Sequence, residues 1–419
     1  MRSKELYVSI QLGDDTIPVG KLWCHQRGMR QSASFEYEQN WLKHPERFAL
    51  DPALQLTKGA FHTQADQMLF GAIGDSAPDR WGRVLMRRAE SARAKAVNEA
   101  PRTLLEADYL LGVNDEARQG ALRFSLNPDG PFLTPKDKTS IPPLIDLPRL
   151  LSAAERYLDD DETAEDLKIL LAPGSSLGGA RPKASVRDKD GHLAIAKFPK
   201  KDDEFNIVIW EAVTLSLAEM AGLSVAQWRL EQILDKPVLI IRRFDRGAQT
   251  RIPFLSAMGM LGAKDNEQHS YLEIAYALAQ HGSAPNQDME ELWRRIIFTI
   301  LVSNTDDHLR NHGFMYKRHK GWRLSPAYDI NPTPVEIKAR ILSTAIDFDD
   351  PSASIDTALS VIDEFRIKKN RANEIIQEVS AAVNQWQKIA VRYGLEKREI
   401  DRMASAFEHE DCEKARNAS

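Results

Sequence analysis

Three oxygen-bearing side chains in the second half of the chain restrict its fold more than any other feature. Asp306 and Asn311 are five residues apart in one loop, and Asp329 follows after a segment that can form a hairpin. A carboxylate at the first position can accept the proton of a hydroxyl group. Amide and carboxylate oxygens at the other two positions are hard ligands of the kind that Mg²⁺ prefers. The spacing therefore predicts that the loop and the end of the hairpin meet at a magnesium site.

A glycine-rich segment upstream of this loop is suited to binding phosphate. It reads Gly174-Ser175-Ser176-Leu177-Gly178-Gly179-Ala180-Arg181-Pro182-Lys183. Glycines allow backbone amides to approach phosphate closely, and Lys197, in the strand-like run that follows, can place a positive charge beside the phosphates. A phosphate loop and a lysine that precede an Asp/Asn/Asp set have the order of a protein kinase. Glu211, on the next predicted helix, is a candidate ion-pair partner for Lys197.

These motifs resemble the HipA family of serine/threonine kinase toxins from bacterial toxin–antitoxin systems. The Ser-x-x-Gly-Ala loop, the Thr-Asp-x-His-x-x-Asn loop and the Tyr-Asp motif of that family match residues 176–180, 305–311 and 328–329 in the same order. Shorter matches extend the resemblance over most of the chain: residues 20–22, 34–37 and 41–42 resemble the small β-rich domain that opens the family, residues 120–124 resemble its closing strand, and residues 243–246 resemble the segment that joins the two lobes.

The resemblance implies an ATP- and Mg²⁺-dependent protein kinase and assigns a role to each matching residue. Asp306 is the predicted catalytic residue, and Asn311 and Asp329 are the predicted metal ligands. The backbone of residues 243–246, the hinge between the two lobes, would meet adenine, and His308 would act as a hydrogen-bonding residue, not as a metal ligand. The predicted ATP-binding residues are Ser176, Leu177, Gly178, Gly179, Ala180, Lys197, Arg243, Phe244, Asp245, His308 and Tyr328.

Self-modification follows from the same resemblance. The serine that matches Ser176 is a self-phosphorylation site that disables the kinase, and Ser175 is an adjacent alternative. A phosphoserine adds a charge of about −1.5 to −2 at the place where the anionic nucleotide must sit.

Each assignment has a simpler structural alternative. Asp306 can be a helix N-cap or an ion-pair partner of Arg310. If the loop alignment slips by one residue, Asp307 takes the catalytic place and the five-residue spacing to Asn311 is lost. Asn311 and Asp329 can also be turn residues, which does not exclude metal binding. The glycine-rich segment can be a flexible connection, and Lys197 and Glu211 can be surface charges.

The predicted fold class is α+β: a small α+β N-terminal domain, then a bilobal protein-kinase-like fold with a β-rich nucleotide lobe and a mainly helical catalytic lobe. We predict domains at residues 1–140, 141–245 and 246–405, followed by a frayed tail at 406–419. The first boundary falls in the Pro-, Asp- and Lys-rich connector 127–148. Strands are predicted at 6–12, 16–22, 194–198 and 238–244, and helices at 79–96, 150–158, 204–221, 271–280, 288–302 and 374–393.

Composition narrows the function further. A net charge of −5 and a pI near 6.1 give no overall electrostatic reason to bind nucleic acid. With two cysteines far apart, neither a disulfide framework nor a cysteine-rich zinc site is indicated. The first residues lack the apolar core of a signal peptide, and no apolar run is long enough to span a bilayer, so we expect a cytoplasmic protein with no membrane partner.

The expected partners come from the resemblance alone. They are a protein substrate, such as an aminoacyl-tRNA synthetase, and a HipB-like DNA-binding antitoxin through which DNA would be contacted only indirectly. Two alternative functions stay open: a small-molecule kinase, because such enzymes also use an Asp/Asn/Asp site, and a catalytically silent nucleotide-binding regulator that acts with the antitoxin.

Overall fold

The computed structural model describes residues 2–28, 30–128, 130–132, 141–171, 181–247 and 250–417. Contacts between Cα atoms divide the chain into two compact units. Unit 1 comprises Met1–Asp202 and Glu231–Lys264, and unit 2 comprises Asp203–Leu230 and Asp265–Ser419. The predicted domain boundaries at residues 140 and 245 both fall inside unit 1, and they stay predictions.

The strands are β1 (Arg2–Leu12), β2 (Asp15–Arg27), β3 (Arg30–Tyr37), β4 (Ala60–His62), β5 (Leu122–Ser125), β6 (Lys183–Arg187), β7 (Leu193–Lys197), β8 (Trp228–Ile233), β9 (Lys236–Arg242), β10 (Phe254–Ser256), β11 (His269–Ser270), β12 (Gly313–Lys317), β13 (Gly321–Leu324) and β14 (Thr344–Ala345).

The α-helices are α1 (Gln39–Lys43), α2 (Gly71–Gly74), α3 (Arg80–Ala96), α4 (Glu106–Gly112), α5 (Leu147–Leu158), α6 (Ala164–Leu171), α7 (Ile207–Met220), α8 (Ala257–Leu261), α9 (Tyr271–His281), α10 (Pro285–Leu301), α11 (Ile355–Ser360), α12 (Lys369–Val383), α13 (Trp386–Arg392), α14 (Lys397–Met403) and α15 (Glu410–Arg416).

Unit 1 opens with an antiparallel sheet in the order β4-β3-β2-β1-β5. Strand β1, which pairs with β2 and β5, buries Leu6, Val8 and Ile10, which alternate along the strand and therefore share one face. Helix α3 starts where the sequence predicts it, because the Asp79 side chain accepts a hydrogen bond of 2.8 Å from the amide of Gly82.

A second sheet of unit 1 has the order β6-β7-β9-β8. One face packs against α3, α5 and α6 through small and branched residues, among them Ala184, Ala196 and Ile240, with Trp81 and Leu85 from α3 in the same core. Because neighbouring residues of a strand point to opposite faces, Lys197 lies on the face turned away from those helices.

Unit 2 is built around α10, in which every residue from Leu292 to Leu301 is buried. Helix α7 is also buried over most of its length and ends at Met220. Gly222 follows the C-cap residue Ala221, and its φ of +76° is the left-handed conformation expected of a glycine just after a helix. Strands β12 and β13 form an antiparallel hairpin after α10. Together, α10 and this hairpin flank the loop that carries Asp306 and Asn311.

Most predicted elements are present, and two predictions are wrong. The helix predicted at 374–393 is interrupted at residues 384–385 and forms α12 and α13. The tail predicted to fray instead forms α15, because Asp411 and Cys412 are buried and the Asp411 carboxylate binds Arg340 at 2.7 Å. In the described part of the chain, no helix combines the length and the apolar composition that crossing a bilayer requires.

Candidate active site

The loop that connects α10 to β12 begins in a strained conformation. Ser303 is buried and has a φ of +51°, which is uncommon for a residue with a side chain. Two backbone hydrogen bonds fix this conformation. The amide of Asn304 donates to the carbonyl of Thr299 at 3.0 Å, and the amide of Thr333 donates to the carbonyl of Ser303 at 3.2 Å. Such conformations cost about 1–3 kcal/mol and persist where surrounding contacts fix them, often at functional sites.

The two neighbouring aspartates of this loop have opposite environments. Asp306 is exposed, and no side-chain hydrogen bond or ion pair of Asp306 is found within the described residues. Asp307 is only 6% exposed, and its carboxylate accepts a hydrogen bond of 2.5 Å from the Tyr271 hydroxyl. Arg310, the alternative partner considered for Asp306, pairs with Asp265. A hydroxyl-bearing substrate can therefore reach Asp306 and not Asp307.

The side-chain amide of Asn311 has a hydrogen-bond partner for its nitrogen and none for its oxygen within the described residues. Its Nδ2 donates to the carbonyl of Asp306 at 3.3 Å, and its backbone amide donates to the carbonyl of His308 at 2.8 Å. The Oδ1 atom is buried, and no hydrogen-bond donor for it is found within the described ranges. A buried acceptor without a donor is costly, and a cation would satisfy it.

The Tyr328-Asp329 motif lies against the same loop. The Tyr328 hydroxyl donates to the carbonyl of Arg310 at 2.7 Å, which fixes the end of the hairpin to the turn that precedes Asn311. Asp329 is half-buried and has a φ of +59°. Its Oδ1 atom lies 3.4 Å from the Nδ2 of Asn331. The Tyr328 side chain therefore joins this motif to the loop, and the metal-binding role of Asp329 stays a prediction.

The oxygen donors of Asn311 and Asp329 suit Mg²⁺ better than a metal ion whose ligands all come from the protein. The described residues contain no cluster of three or more His, Cys, Asp and Glu side chains with metal-site geometry. One amide oxygen and one carboxylate, from Asn311 and Asp329, are too few to enclose an ion. Mg²⁺ usually takes one or two protein oxygens and completes its shell with water and substrate phosphates, which agrees with this donor set.

A small cavity with polar and apolar lining residues lies behind the loop, inside unit 2. Its volume is about 20 Å³, which is enough for one water molecule. Asn304, Asp307, Asn311 and His312 are among the residues that line it. The Nδ1 atom of His308 is buried in the same loop and has no hydrogen-bond partner among the residues that the structure describes. The loop therefore contains polar atoms that protein groups alone do not satisfy.

The segment after Asp329 is tied to the residue before Asp306. The carbonyl of Thr305 accepts hydrogen bonds from the Nζ of Lys338 at 3.0 Å, from the Oγ of Ser343 at 2.9 Å and from the amide of Ser343 at 3.2 Å. Three donors on one carbonyl leave this peptide little freedom to turn. The backbone at Asp306 is thus supported from both sides along the chain.

Residues 243–246, which the sequence predicts to join the two lobes, lie inside unit 1 and form part of a buried network of charges. Asp245 binds Arg243 at 2.6 and 2.8 Å and Arg246 at 2.9 Å, and it accepts a hydrogen bond of 2.8 Å from the amide of Gly120. Arg243 also donates to the carbonyl of Arg118 at 3.2 Å. The side chains of Arg243 and Asp245 are occupied by these contacts, so any contact of these two residues with adenine would use their backbone.

The remaining predicted residues are Lys197, Glu211 and the glycine-rich segment. Lys197 ends β7 in unit 1 and is half-buried, whereas Glu211 lies on α7 in unit 2 and is 3% exposed. Their pairing stays a prediction. The glycine-rich residues Ser175, Ser176, Leu177, Gly178, Gly179 and Ala180 lie outside the described residues.

Sequence reasoning missed the residues that support the loop from behind. Tyr271, Thr299 and His312 surround Asp307, and Lys338 and Ser343 hold the carbonyl of Thr305. Only His312 carried a local signal, because it directly follows Asn311. Tyr271 lies 36 positions before Asp307, and nothing in the sequence links the two.

The sequence model of the HipA-like C-terminal domain matches residues 175–386, slightly more than half of the chain. The chain belongs to the HipA family. A second model, of the HipA N-terminal domain, matches residues 12–107. The recognition made from the three motifs is therefore confirmed.

Curated relatives support the same family at low identity. A protein of Haemophilus influenzae that is named as a candidate kinase is 29% identical over 197 residues, which are 41% of this chain and 57% of that protein. Candidate kinase Y4dM of Sinorhizobium fredii is 29% identical over 138 residues, 29% of this chain and 33% of that protein. The chain thus spans less than two thirds of the length of either relative.

One solved structure is similar to this chain over nearly its whole length. The toxin–antitoxin system of Shewanella oneidensis MR-1, a complex of HipA, HipB and operator DNA, contains a chain that aligns with a TM-score of 0.65 and 16% sequence identity. The alignment covers 98% of this chain and 96% of that chain. The predicted α+β, kinase-like fold is confirmed by this similarity.

Proposed function

We propose that this HipA-family protein is an ATP-dependent serine/threonine protein kinase that inhibits growth as the toxin of a toxin–antitoxin pair. The observation that carries the proposal is the difference in environment between the exposed Asp306 carboxylate and the buried Asn311 side-chain oxygen. Asp306 is open to a substrate, while Asn311 donates to the carbonyl of Asp306 and keeps a buried oxygen without a donor. A residue that orients the acceptor hydroxyl and oxygen ligands that hold Mg²⁺ are two of the recurring parts of a phosphoryl-transfer site.

In the proposed reaction the acceptor hydroxyl is oriented by Asp306. Its oxygen forms a bond to the γ-phosphorus while the bond from that phosphorus to the β,γ-bridging oxygen breaks, ADP leaves, and the hydroxyl proton passes to Asp306. Asn311 and Asp329 would hold Mg²⁺, which would neutralise charge on the nucleotide phosphates. Lys197 would add a positive charge on the same phosphates, and backbone groups of the hinge would meet adenine.

The proposal includes self-inactivation. Ser176, or the neighbouring Ser175, would receive phosphate from ATP. The added negative charge would then oppose binding of the nucleotide to the glycine-rich segment. The support for this step is the match of residues 176–180 to the family motif.

The proposed partners are a HipB-like antitoxin and a protein substrate. The match of residues 12–107 to the HipA N-terminal domain, and the similarity to a chain from a HipA, HipB and operator DNA complex, support the antitoxin. DNA would be contacted only through that antitoxin. An aminoacyl-tRNA synthetase is the substrate that the family resemblance suggests.

A growth experiment tests the toxin assignment. Wild-type protein and Asp306→Asn are expressed from an inducible promoter, and cell lysates are then incubated with purified protein and γ-labelled Mg-ATP. We expect wild type to stop growth and to label a protein band, and Asp306→Asn to do neither at equal expression. Growth arrest by both variants would argue against phosphoryl transfer as its cause, and label in small molecules alone would favour a small-molecule kinase.

A further inference from the structure

The buried carboxylate next to the exposed one has no assigned role in catalysis. Asp307 follows Asp306, and His312 follows Asn311, so the two buried residues have the same five-residue spacing as the two residues in front of them. Asp307 is 6% exposed and His312 is 2% exposed. The Nε2 atom of His312 lies 3.1 Å from Oδ1 of Asp307. The two side chains are therefore close neighbours on the inner side of the turn, although Nε2 of His312 makes no hydrogen bond within the described residues.

The same carboxylate joins the turn to two helices of unit 2. Its Oδ2 atom accepts a hydrogen bond of 2.5 Å from the hydroxyl of Tyr271, the first residue of α9. The Thr299 hydroxyl, near the end of α10, lies 3.4 Å from the same oxygen. The Tyr271 ring is fully buried and meets the His312 ring edge-on, with ring centroids 5.5 Å apart. One side chain thus links the turn to α9, to α10 and to the start of β12.

Electrostatics indicate that Asp307 is charged in the folded protein. Burial acts to raise its pKa, but the imidazole of His312 and the hydroxyl of Tyr271 outweigh burial and lower the pKa below its usual value. Burial beside Asp307 raises the pKa of Tyr271 well above its usual value, so the tyrosine stays a hydrogen-bond donor. A buried charge that depends on specific partners holds those partners in place, because losing one of them leaves the charge uncompensated.

We propose that Asp307, with Tyr271 and His312, is a positioning residue for the active loop. It fixes the peptide of Asp306 so that the Asp306 carboxylate points outward, and it keeps the Asn311 amide on the Asp306 carbonyl. The inference deepens the proposed kinase function and rests on it. The sequence signal is a second acidic residue after Asp306 together with a histidine after Asn311.

The test compares Asp307→Asn with a matched control, Asp288→Asn. Asp288 is 3% exposed and its carboxylate binds Arg323 at 2.8 Å, but it lies in the first turn of α10, eleven residues from Thr299. Eleven helical residues separate the two positions by roughly 16 Å. Both substitutions remove a buried, paired charge. Asp288→Asn loses contacts with Arg323 and Leu324 of β13, and only Asp307→Asn loses contacts of the loop itself.

Two readouts are made on each full-length protein. The first is the rate of phosphate transfer from Mg-ATP, divided by the folded fraction at the assay temperature. We expect Asp307→Asn to lose about 100-fold, the effect of misplacing a reacting group by about 1 Å, and Asp288→Asn to keep its rate. Tyr271→Phe should fall between wild type and Asp307→Asn, and the double variant should lose less than the product of the single losses.

The second readout is amide hydrogen exchange at His308 and Asn311, whose amides bond to the carbonyls of Asp306 and His308. We expect faster exchange at these two amides in Asp307→Asn and not in Asp288→Asn. Unchanged loop exchange, with transfer lost only in proportion to unfolding, would overturn the positioning role. If wild type transfers no phosphate, the proposed function fails, and the exchange data still decide whether Asp307 holds the loop.

Discussion

The hinge network of unit 1 allows a quantitative prediction for Asp245→Asn. The Asp245 carboxylate is 3% exposed and the Arg243 side chain is fully buried, with a shortest separation of 2.6 Å between them. Asparagine keeps one acceptor oxygen but removes the negative charge that compensates Arg243 and Arg246. Breaking a buried ion pair by removing one partner costs about 3–5 kcal/mol. We therefore expect a loss of this size in the free energy of unfolding of unit 1.

The assay is thermal unfolding at neutral pH with a surface control. For a unit of about 150–250 residues, 1 kcal/mol corresponds to about 2–4 °C, so Asp245→Asn should lower the melting temperature by about 6–20 °C. The control is Glu165→Gln, which removes an exposed ion pair with Arg149 at 3.2 Å. Such pairs contribute about 0–1 kcal/mol. A melting temperature for Asp245→Asn within about 2 °C of wild type would refute the reasoning.

The pH dependence of this penalty has a definite sign. Burial acts to raise the pKa of Asp245, but Arg243 and Arg246 outweigh it and hold the pKa well below its usual value. The unfolded chain therefore takes up a proton at a higher pH than the folded chain does. The stabilisation is complete above about pH 5 and is lost as the pH falls below about 4. The difference between wild type and Asp245→Asn should shrink over that range, and a difference that grows on acidification would contradict the assignment.

Three further predictions concern the site and the C-terminus. Asp329→Ala should abolish the Mg²⁺-dependent part of ATP binding, measured by calorimetric titration, whereas Asp265→Ala at an exposed ion pair should not; equal Mg-ATP affinity in both variants would count against a metal role. Ser176→Asp should weaken ATP binding, and undiminished affinity would challenge the self-inactivation step. Asp411→Asn should lower the free energy of unfolding by about 1–3 kcal/mol, because it breaks charged hydrogen bonds at a buried position. The control substitution Glu413→Gln, at an exposed position of α15, should leave the free energy of unfolding unchanged. Equal stability of the two variants would show that α15 is not anchored through Asp411.

The sequence predicts the fold where local patterns decide it. Helix α3 has an aspartate at its start, and α7 has a glycine after its end, so both boundaries follow from capping. The break between α12 and α13 has no glycine or proline to mark it. Helix α15 was missed because its composition is polar. Its anchor is an ion pair between Asp411 and Arg340, which are 71 positions apart.

In the candidate site, too, the sequence predicts what local motifs determine and misses what depends on long-range contacts. The Tyr328 hydroxyl contacts the loop at the carbonyl of Arg310, and the catalytic and metal-binding roles of Asp306, Asn311 and Asp329 stay predictions. The sequence favours Asp306 over Asp307 only through its five-residue spacing to Asn311, because two adjacent carboxylates are chemically alike until the fold buries one of them. What separates them is the Tyr271 hydroxyl, which comes from another helix. Long-range contacts of this kind leave no periodic or motif signal.

The most direct test of the account is incubation of purified full-length protein with labelled Mg-ATP, beside Asp306→Asn, followed by intact mass and peptide mapping. The account predicts a phosphate on Ser176, or on neighbouring Ser175, in wild type and none in Asp306→Asn. Phosphate on both proteins would remove Asp306 from the catalytic role. If neither protein acquires phosphate or labels any protein in a lysate, the proposed kinase function is contradicted.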